Sequence, residues 1–292
     1  MRAFVLGSPI AHSLSPTLHR AAYAYLGLDW EYDARQCDTD SLADLVASLG
    51  PDVAGLSLTM PLKAAVLPLL DEVDPLASAC GAVNTVVRRD GRLVGYNTDV
   101  PGMAAALAER SVPPLGRASV LGAGATARSA VLALALAGWK DIVVSARRPV
   151  TGQWLQQALQ QAQGQARDGA LPTAGSGAGL VVTGTGLGPL DLDAALSGAL
   201  VVCTLPAGAA DAFVDRVPDR PGTLFDVVYD PWPTALAAAW AEHGGQVIAG
   251  LDLLVHQGAL QVVLMTGTGA DIGELVAVMR AAGQAAMTAR AG

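Results

Sequence analysis

A lysine and an aspartate are the residues of this chain best suited to acid–base chemistry. Lys63 ends the segment SLTMPLK (57–63), in which an apolar strand turns into a helix at Pro61. Open α/β sheets bind ligands at the carboxyl ends of their strands, so Lys63 is expected beside such a crevice, although a surface lysine would fit the same pattern. A neighbouring carboxylate would hold an ammonium in place for proton transfer, and Asp99 is the candidate.

A predicted hairpin brings an amide and that carboxylate to one place. Asp90 and Gly91 form a strong two-residue turn signal, because both central residues of a type I′ turn need positive φ. The resulting ladder pairs Asn84 with Asn97, and Asp99 lies two residues further on the same face. This polar end is either a solvated edge of the sheet or one wall of a binding pocket.

A glycine-rich turn predicts a nucleotide site in the second half of the chain. Residues 120–127, VLGAGATA, place G-x-G-x-x-A between an apolar strand and a helix. Gly122 permits a tight turn, Gly124 lets a pyrophosphate approach the backbone, and Ala127 allows close packing of helix on strand. The helix N-terminus would then bind the phosphates, although a simple tight turn could carry the same glycines.

The end of the next strand favours NADP over NAD. An NAD site usually has Asp or Glu there, whereas this strand ends SARRP, with Arg147 and Arg148. Two guanidinium groups suit a ribose 2′-phosphate, and a solvated basic loop is the alternative.

Other polar residues occupy strand-end or helical positions with ordinary explanations of their own. Ser13 and Ser15 precede Pro16 and could face a carboxylate or hydroxyl ligand, while Ser15 is also predicted as the N-cap of the following helix. Gln257 lies on a largely apolar helix and could be an edge residue. Tyr229 follows a strand and precedes a proline turn.

The elements that must position these residues alternate between strand and helix, which predicts two mostly parallel α/β domains. The first series has strands at 2–7, 30–36 and 53–59 and helices at 15–27, 40–50, 61–70 and 74–80. The second has strand, turn and helix at 118–138, strands at 141–149, 179–184, 199–206, 222–230 and 246–250, and helices at 154–163, 234–244, 253–267 and 271–287.

Composition narrows the class of protein. The chain has 292 residues, 52% of them apolar, with a net charge of −8, which is enough for two domains and argues against a nucleic-acid surface. Cys37, Cys80 and Cys203 are scattered, as expected for reduced thiols of a cytoplasmic protein without a metal site. No segment predicts a signal peptide or a membrane span.

Taken together, these motifs resemble the shikimate dehydrogenase family. SPIAHSLSP, LTMPLK, GAVNT, GYNTD, GAGATAR, VYDPWPT and GLDLLVHQG occur in that family's order and spacing over essentially the whole chain. The resemblance implies NADPH-dependent reduction of 3-dehydroshikimate to shikimate, in the pathway to aromatic amino acids. It also implies a substrate domain (1–101), a Rossmann NADP-binding domain (102–243) and C-terminal helices that return to the substrate domain (244–292).

The resemblance implies a role for each matching residue. Lys63 and Asp99 would form the catalytic pair. The substrate would be bound by Ser13, Ser15, Thr59, Asn84, Tyr229 and Gln257, and the cofactor by Gly122, Ala123, Gly124, Ala125, Thr126, Arg147, Arg148, Val227 and Gly250.

The chain departs from many members of the family at three places. Ser57 stands where many have Asn, which should remove a polar contact near the substrate. Ala146 and the two arginines replace an NRT sequence, and residues 204–206 replace small polar residues. The alternatives are therefore an NAD-linked quinate/shikimate dehydrogenase, a reductase of another small acid, or a non-catalytic ligand-sensing relative. The sequence leaves open whether the protein is a monomer or a homodimer.

Overall fold

The structure, a computed structural model, describes residues 1–147 and 180–291. Arg148 and the predicted helix at 154–163 lie outside these ranges. The chain forms two compact units, Met1–Gly102 with Leu254–Gly292 and Met103–Leu253. Residues 244–253 therefore belong to the second unit and not with the C-terminal helices as expected, because β12 (Gln246–Ile248) pairs in parallel with β11 (Thr223–Asp226).

The first unit is built on a six-stranded sheet in which only one strand runs against the others. The strand order is β2-β1-β3-β5-β6-β4, and β5 is antiparallel to both of its neighbours. The expected mostly parallel sheet is confirmed. The strands are β1 (Arg2–Gly7), β2 (Glu31–Gln36), β3 (Val53–Leu58), β4 (Glu72–Val73), β5 (Thr85–Arg89) and β6 (Arg92–Tyr96).

Helices flank this sheet and continue into the second unit at two points. Helices α5 (Asp99–Glu109) and α9 (Gly250–Thr266) each run across the boundary between the two units. The others are α1 (Ser15–Tyr25), α2 (Leu42–Ala47), α3 (Leu62–Ala65), α4 (Pro75–Cys80) and α10 (Ile272–Ala291).

The predicted hairpin forms with the expected register. Arg89 pairs with Arg92 at the turn, where Asp90 and Gly91 have φ of 50° and 80°. At the open end the Asn84 N–H donates to the Tyr96 carbonyl at 3.1 Å. Asn84 therefore lies at the edge where β3 and β6 end, because β5 runs opposite to both.

Two local predictions were wrong. Leu14, not Ser15, is the N-cap residue of α1, and the Ser13 hydroxyl accepts the Ser15 N–H at 3.2 Å. The helix predicted at 61–70 is interrupted: α3 ends at Ala65 and a 3₁₀ turn follows at Leu67–Leu69. Pro68 lies in that turn and lacks the N–H that a continuous helix would need.

The second unit has the doubly wound order expected of a Rossmann domain. Its six strands are all parallel in the order β12-β11-β10-β7-β8-β9, which is 6-5-4-1-2-3 within the unit. Helix α7 (Pro189–Leu196) was not predicted, because the glycines before it favour a loop. The remaining elements are β7 (Arg117–Leu121), α6 (Ala125–Leu136), β8 (Asp141–Ser145), β9 (Val181–Thr185), β10 (Leu200–Cys203) and α8 (Ala235–Glu242), with a 3₁₀ turn at Asp211–Arg216.

The two faces of the first sheet differ in character, and this difference positions the candidate site. Apolar side chains such as Phe4, Leu56 and Leu58 form one buried core. The alternate residues include the buried polar residues Ser57 and Thr85. All three cysteines are buried and unbridged. Within residues 1–147 and 180–291, no helix has the length and apolar character needed to cross a bilayer.

Candidate active site

The predicted lysine and aspartate form an ion pair at one edge of the first sheet. Lys63 follows β3 on α3, and Asp99 follows β6 as the first residue of α5. Their side chains meet with Nζ 2.6 Å from Oδ2, and they are only 11% and 6% exposed. The position of Asp99 is favourable, because a helix N-terminus stabilises negative charge. An ammonium held this way can donate a proton to a ligand oxygen in the same edge crevice.

Asn84 supports the carboxylate from its other side. Its Nδ2 donates to Asp99 Oδ1 at 2.7 Å and to Thr98 Oγ1 at 2.9 Å. Its Oδ1 accepts the Thr98 N–H at 2.8 Å. Both oxygens of Asp99 therefore accept a hydrogen bond, one from an amide and one from an ammonium.

Asn97, the other amide of the hairpin end, serves the backbone. Its Oδ1 accepts the N–H groups of Asp99 and Val100 at 3.1 and 3.2 Å, and its Nδ2 donates to the Ala82 carbonyl at 2.9 Å. Asn97 thus satisfies donors in the first turn of α5, which would otherwise lack intrahelical partners. This contact fixes where Asp99 enters the helix.

The helix that carries Gln257 approaches this group closely. Gln257 Oε1 lies 3.4 Å from Asn84 Nδ2 and 3.3 Å from Thr98 Oγ1. The approach requires a small residue on α5, because a Cβ on Gly102 would lie 2.9 Å from the Gln257 backbone nitrogen. The structure therefore brings four predicted site residues together, Lys63, Asn84, Asp99 and Gln257.

Three further predicted substrate residues follow strand ends at the same edge. Ser13 lies in the loop after β1, and Ser15 begins α1, where its carbonyl lies 3.0 Å from His19 Nδ1. Thr59 follows β3, and its N–H donates to the Leu6 carbonyl at 2.9 Å. Their contact with a substrate stays a prediction.

The glycine-rich turn of the second unit adopts a conformation that only glycine takes readily at one position and is open to solvent at another. Gly122 has φ of 115°, and a Cβ there would lie 2.5 Å from the Thr204 hydroxyl. Gly124 is exposed with nothing within 4 Å of a hypothetical Cβ, and it caps α6 through its backbone alone. The turn therefore leaves backbone open to an anion at a helix N-terminus. The other predicted residues of this turn are Ala123, Ala125 and Thr126.

The cationic residue expected to bind the ribose phosphate lies two residues after the end of β8 (Asp141–Ser145). Arg147 is exposed, so its guanidinium suits a 2′-phosphate. Its predicted companion Arg148 lies outside the described residues. The strand end at 145–147, Ser-Ala-Arg, offers no carboxylate to a ribose 2′-hydroxyl. The chemistry of this donor set fits NADP.

Val227 and Gly250, both expected along the nicotinamide, are neighbours in the second unit. The Gly250 N–H donates to the Val228 carbonyl at 3.2 Å, and a Cβ on Gly250 would lie 2.2 Å from the Val227 oxygen. Only glycine allows this close approach of α9 to the end of β11. Tyr229 is half-buried two residues beyond Val227.

A buried carboxylate organises the loop that carries Val227 and Tyr229. Asp226 accepts the Thr234 hydroxyl at 2.7 Å and the Val228 N–H at 3.1 Å. Burial raises the pKa of Asp226, and these two donors partly oppose that effect. Thr234 also caps α8, so the loop is tied at both ends.

Sequence reasoning missed Thr98 and Gln261. Thr98 was passed over between two more conspicuous residues, Asn97 and Asp99. Gln261 lies four residues after Gln257, so both amides project from one face of α9, and this spacing was the available signal. Ser57 hydrogen-bonds to two buried residues, Tyr32 and Gln261, and the expected loss of a polar contact near the substrate stays a prediction.

Comparison with known proteins identifies the family of the chain. Residues 5–86 match the shikimate dehydrogenase substrate binding domain. The chain is 37% identical to the shikimate dehydrogenase (NADP(+)) of Moorella thermoacetica, over 95% of this chain and 92% of that protein. Its structure resembles that of Mycobacterium tuberculosis shikimate dehydrogenase, with a TM-score of 0.78, 36% identity and coverage of 96% and 99% of the two chains.

A second similar structure was solved with NADP(H) and shikimate bound. The crystal structure of Thermus thermophilus shikimate 5-dehydrogenase in complex with NADP(H) and shikimate has a TM-score of 0.76 and 34% identity, over 97% of this chain and 99% of that one. Similarity at this level extends over the full length of both units. The chain therefore belongs to the shikimate dehydrogenase family.

Proposed function

We propose that this chain catalyses the reversible NADPH-dependent reduction of 3-dehydroshikimate to shikimate. Family membership supports this function, since the relatives are named shikimate dehydrogenase (NADP(+)). The observation that carries the proposal is the buried pair of Lys63 and Asp99, with Nζ 2.6 Å from Oδ2, at the strand-end edge of the substrate unit.

Lys63 has the chemistry to donate the proton in this reaction. Ketone reduction needs a proton on the carbonyl oxygen, and NADPH, when bound, supplies the hydride. The Lys63 ammonium stabilises negative charge that develops on the oxygen and then protonates it; in the reverse direction the amine accepts the proton. Asp99 orients the ammonium. Because the ion pair is buried, the two charges interact in a site of low polarity, where electrostatic attraction is stronger than in water.

The other proposed roles are those that the family resemblance implies. Ser13 and Ser15 bind the substrate carboxylate, and its hydroxyl groups contact Thr59, Asn84, Gln257 and Tyr229. The backbone from Gly122 to Thr126 binds the pyrophosphate, and Arg147 binds the 2′-phosphate. The protein is a cytoplasmic enzyme, either a monomer or a homodimer, and its ligands are small molecules.

Substitution of the two lysines of the chain tests the proposal. Lys63→Met should lower kcat at least about 100-fold, the usual minimum for loss of a general acid, with a smaller change in KM for 3-dehydroshikimate. Lys63→Arg separates charge from proton transfer, because guanidinium keeps the charge but does not release a proton at neutral pH. It should be nearly as inactive. The exposed Lys140 provides the matched control, Lys140→Met.

Two outcomes contradict this function. Near-normal turnover by Lys63→Met would exclude Lys63 as the proton donor. Turnover of quinate with NAD, without turnover of shikimate with NADP, would replace the proposed reaction with the alternative one. Lys63→Met alone leaves the buried carboxylate of Asp99 unpaired, which destabilises the fold. The double variant Lys63→Met/Asp99→Asn leaves no unpaired buried charge, so a loss of turnover in that variant does not reflect unfolding.

A further inference from the structure

A continuous chain of side-chain hydrogen bonds leads from the interior of the first unit to the catalytic pair. We call it the buried relay. It joins residues of β2, β3 and α9, and of β5 and the residue before it, to the start of α5, and each link is a hydrogen bond of 2.9 Å or less between two side chains. In order, its members are Tyr32, Ser57, Gln261, Thr85, Asn84 and Asp99.

The donors of the first links all point toward Gln261. The Tyr32 hydroxyl donates to Ser57 Oγ at 2.6 Å, and the Ser57 hydroxyl donates to Gln261 Oε1 at 2.8 Å. The orientation of the Gln261 amide follows from its partners. Gln261 Nε2 lies 3.2 Å from the Asn84 backbone carbonyl, which can only accept, so the nitrogen must face it and the oxygen must face Ser57.

The remaining links carry the same direction to the carboxylate. Gln261 Nε2 donates to Thr85 Oγ1 at 2.9 Å, and Thr85 donates to Asn84 Oδ1 at 2.8 Å. Asn84 Nδ2 then donates to Asp99 Oδ1 at 2.7 Å. Each internal member accepts from the previous one and donates to the next, and such an arrangement polarises every bond in the same sense.

Burial makes the order of this relay important. Gln261 is 1% exposed, and Tyr32, Ser57, Thr85 and Asn84 are also buried. Because water does not reach these groups, an amide that turned the wrong way would oppose oxygen to oxygen without a substitute partner. The relay therefore adds a second donor, the Thr85 hydroxyl, to the Thr98 N–H that donates to Asn84 Oδ1, and together they hold the Asn84 amide in the orientation that gives Asp99 an N–H.

Gln261 occupies the position in the relay that strand residues leave open. Ser57 and Thr85 are directly opposite in the antiparallel register of β3 and β5. Opposed Cβ atoms lie about 4.5–5.5 Å apart. The two hydroxyl groups are connected through the Gln261 amide, which accepts from Ser57 and donates to Thr85. Helix α9 inserts the Gln261 amide there, four residues after Gln257 and thus on the same helix face.

We propose that Gln261 is a positioning residue for the reaction, which acts through Thr85 and Asn84 on the Lys63–Asp99 pair. The inference rests on the proposed function for its kinetic readout. The Asn84 backbone carbonyl orients the Gln261 amide, and the Ser57 hydroxyl, which accepts from Tyr32, donates to the Gln261 oxygen. The residue does not touch the reacting atoms in this scheme; it sets the orientation of the groups that do.

The test compares two variants of the relay with a control variant outside it. Gln261→Met keeps the volume and removes both hydrogen-bonding atoms, so it should lower kcat about tenfold to a hundredfold with less than about a threefold change in KM for 3-dehydroshikimate. Ser57→Asn combined with Gln261→Ala moves the amide from α9 to β3, opposite Thr85, and should restore kcat to within about threefold of the parent chain. The exposed Gln284 on α10 provides the control, Gln284→Met.

A crystal structure of Gln261→Met gives a readout that does not depend on the reaction. Thr85 Oγ1, without its contact to Gln261, should move away from Asn84 Oδ1, and the distance from Asn84 Nδ2 to Asp99 Oδ1 should increase, while the Thr98 N–H stays on Asn84 Oδ1. An unmoved Asn84–Asp99 contact, or an unchanged kcat per folded enzyme despite lower thermal stability, would mean that Gln261 only supports the fold. Failure of the proposed function looks different: the parent chain itself would not reduce 3-dehydroshikimate.

Discussion

A buried histidine next to the relay should make the folded state sensitive to mild acid. His19 is 1% exposed, and its ring stacks on Tyr32 with centroids 3.9 Å apart and planes at 16°. Its Nδ1 lies 3.0 Å from the Ser15 carbonyl, which can only accept, so Nδ1 carries the proton of the neutral ring. Burial lowers the pKa of His19 from 6.5 to about 4, and the Ser15 carbonyl partly opposes this shift.

The sign and size of the effect follow from that difference. The unfolded chain binds a proton at His19 below pH 6.5, whereas the folded chain does so only below about pH 4. Unfolding is therefore favoured as the pH falls through this window, by at most about 3.4 kcal/mol at 1.36 kcal/mol per pKa unit. At pH 5.0 the loss of stability relative to pH 7.5 is about 2 kcal/mol from this residue alone.

Urea unfolding of His19→Asn at these two pH values measures the contribution. Asn keeps a donor near the position of Nδ1 but does not titrate, so the loss of unfolding free energy between pH 7.5 and 5.0 should be about 2 kcal/mol smaller than in the parent chain. The exposed His12 offers the control, His12→Asn, with no such change. Histidine NMR gives the pKa directly. A His19 resonance that titrates near pH 6.5, or an equal acid loss in both proteins, would refute the reasoning.

Two further predictions concern the cofactor half. Gly124→Ala should leave thermal stability unchanged, because its Cβ would enter open space. It should nevertheless raise the KM for NADPH at least about tenfold, because the added methyl group blocks the approach of the pyrophosphate. Gly269→Ala, where a Cβ would also enter open space, is the control. A normal KM for NADPH in Gly124→Ala would argue against phosphate binding at this turn. Arg147→Ser should reduce the preference for NADPH over NADH about tenfold, because a charge-assisted hydrogen bond to the 2′-phosphate is lost. Arg117 begins β7, at the opposite end of the sheet from Arg147, and Arg117→Ser should leave the preference unchanged. Equal changes with both cofactors would contradict a 2′-phosphate contact.

Local patterns predicted the elements that carry the site. The Asp90-Gly91 turn set the hairpin register, because few other residue pairs adopt positive φ twice in succession. The turn at Gly122 and the strand-end position of Lys63 were likewise readable, since each depends on residues adjacent in the chain. The ends of helices were predicted less well. The N-cap of α1 lies one residue before the predicted Ser15, and the helix predicted at 61–70 ends at Ala65, before the turn that contains Pro68. A shift of one residue changes which residue caps or interrupts a helix, and local sequence patterns do not resolve such a shift.

Contacts between distant segments needed the folded structure. The sequence already indicated that Asn84, Asp99 and Lys63 belong to strand ends of one sheet, but their 2.6 and 2.7 Å contacts depend on β5 running antiparallel between β3 and β6. Gln261 lies 176 residues from Thr85, and only the packing of α9 on the sheet brings the two together. Backbone conformation and hydrophobic period are properties of neighbouring residues, whereas a buried hydrogen-bond relay forms only where separate elements meet and exclude water.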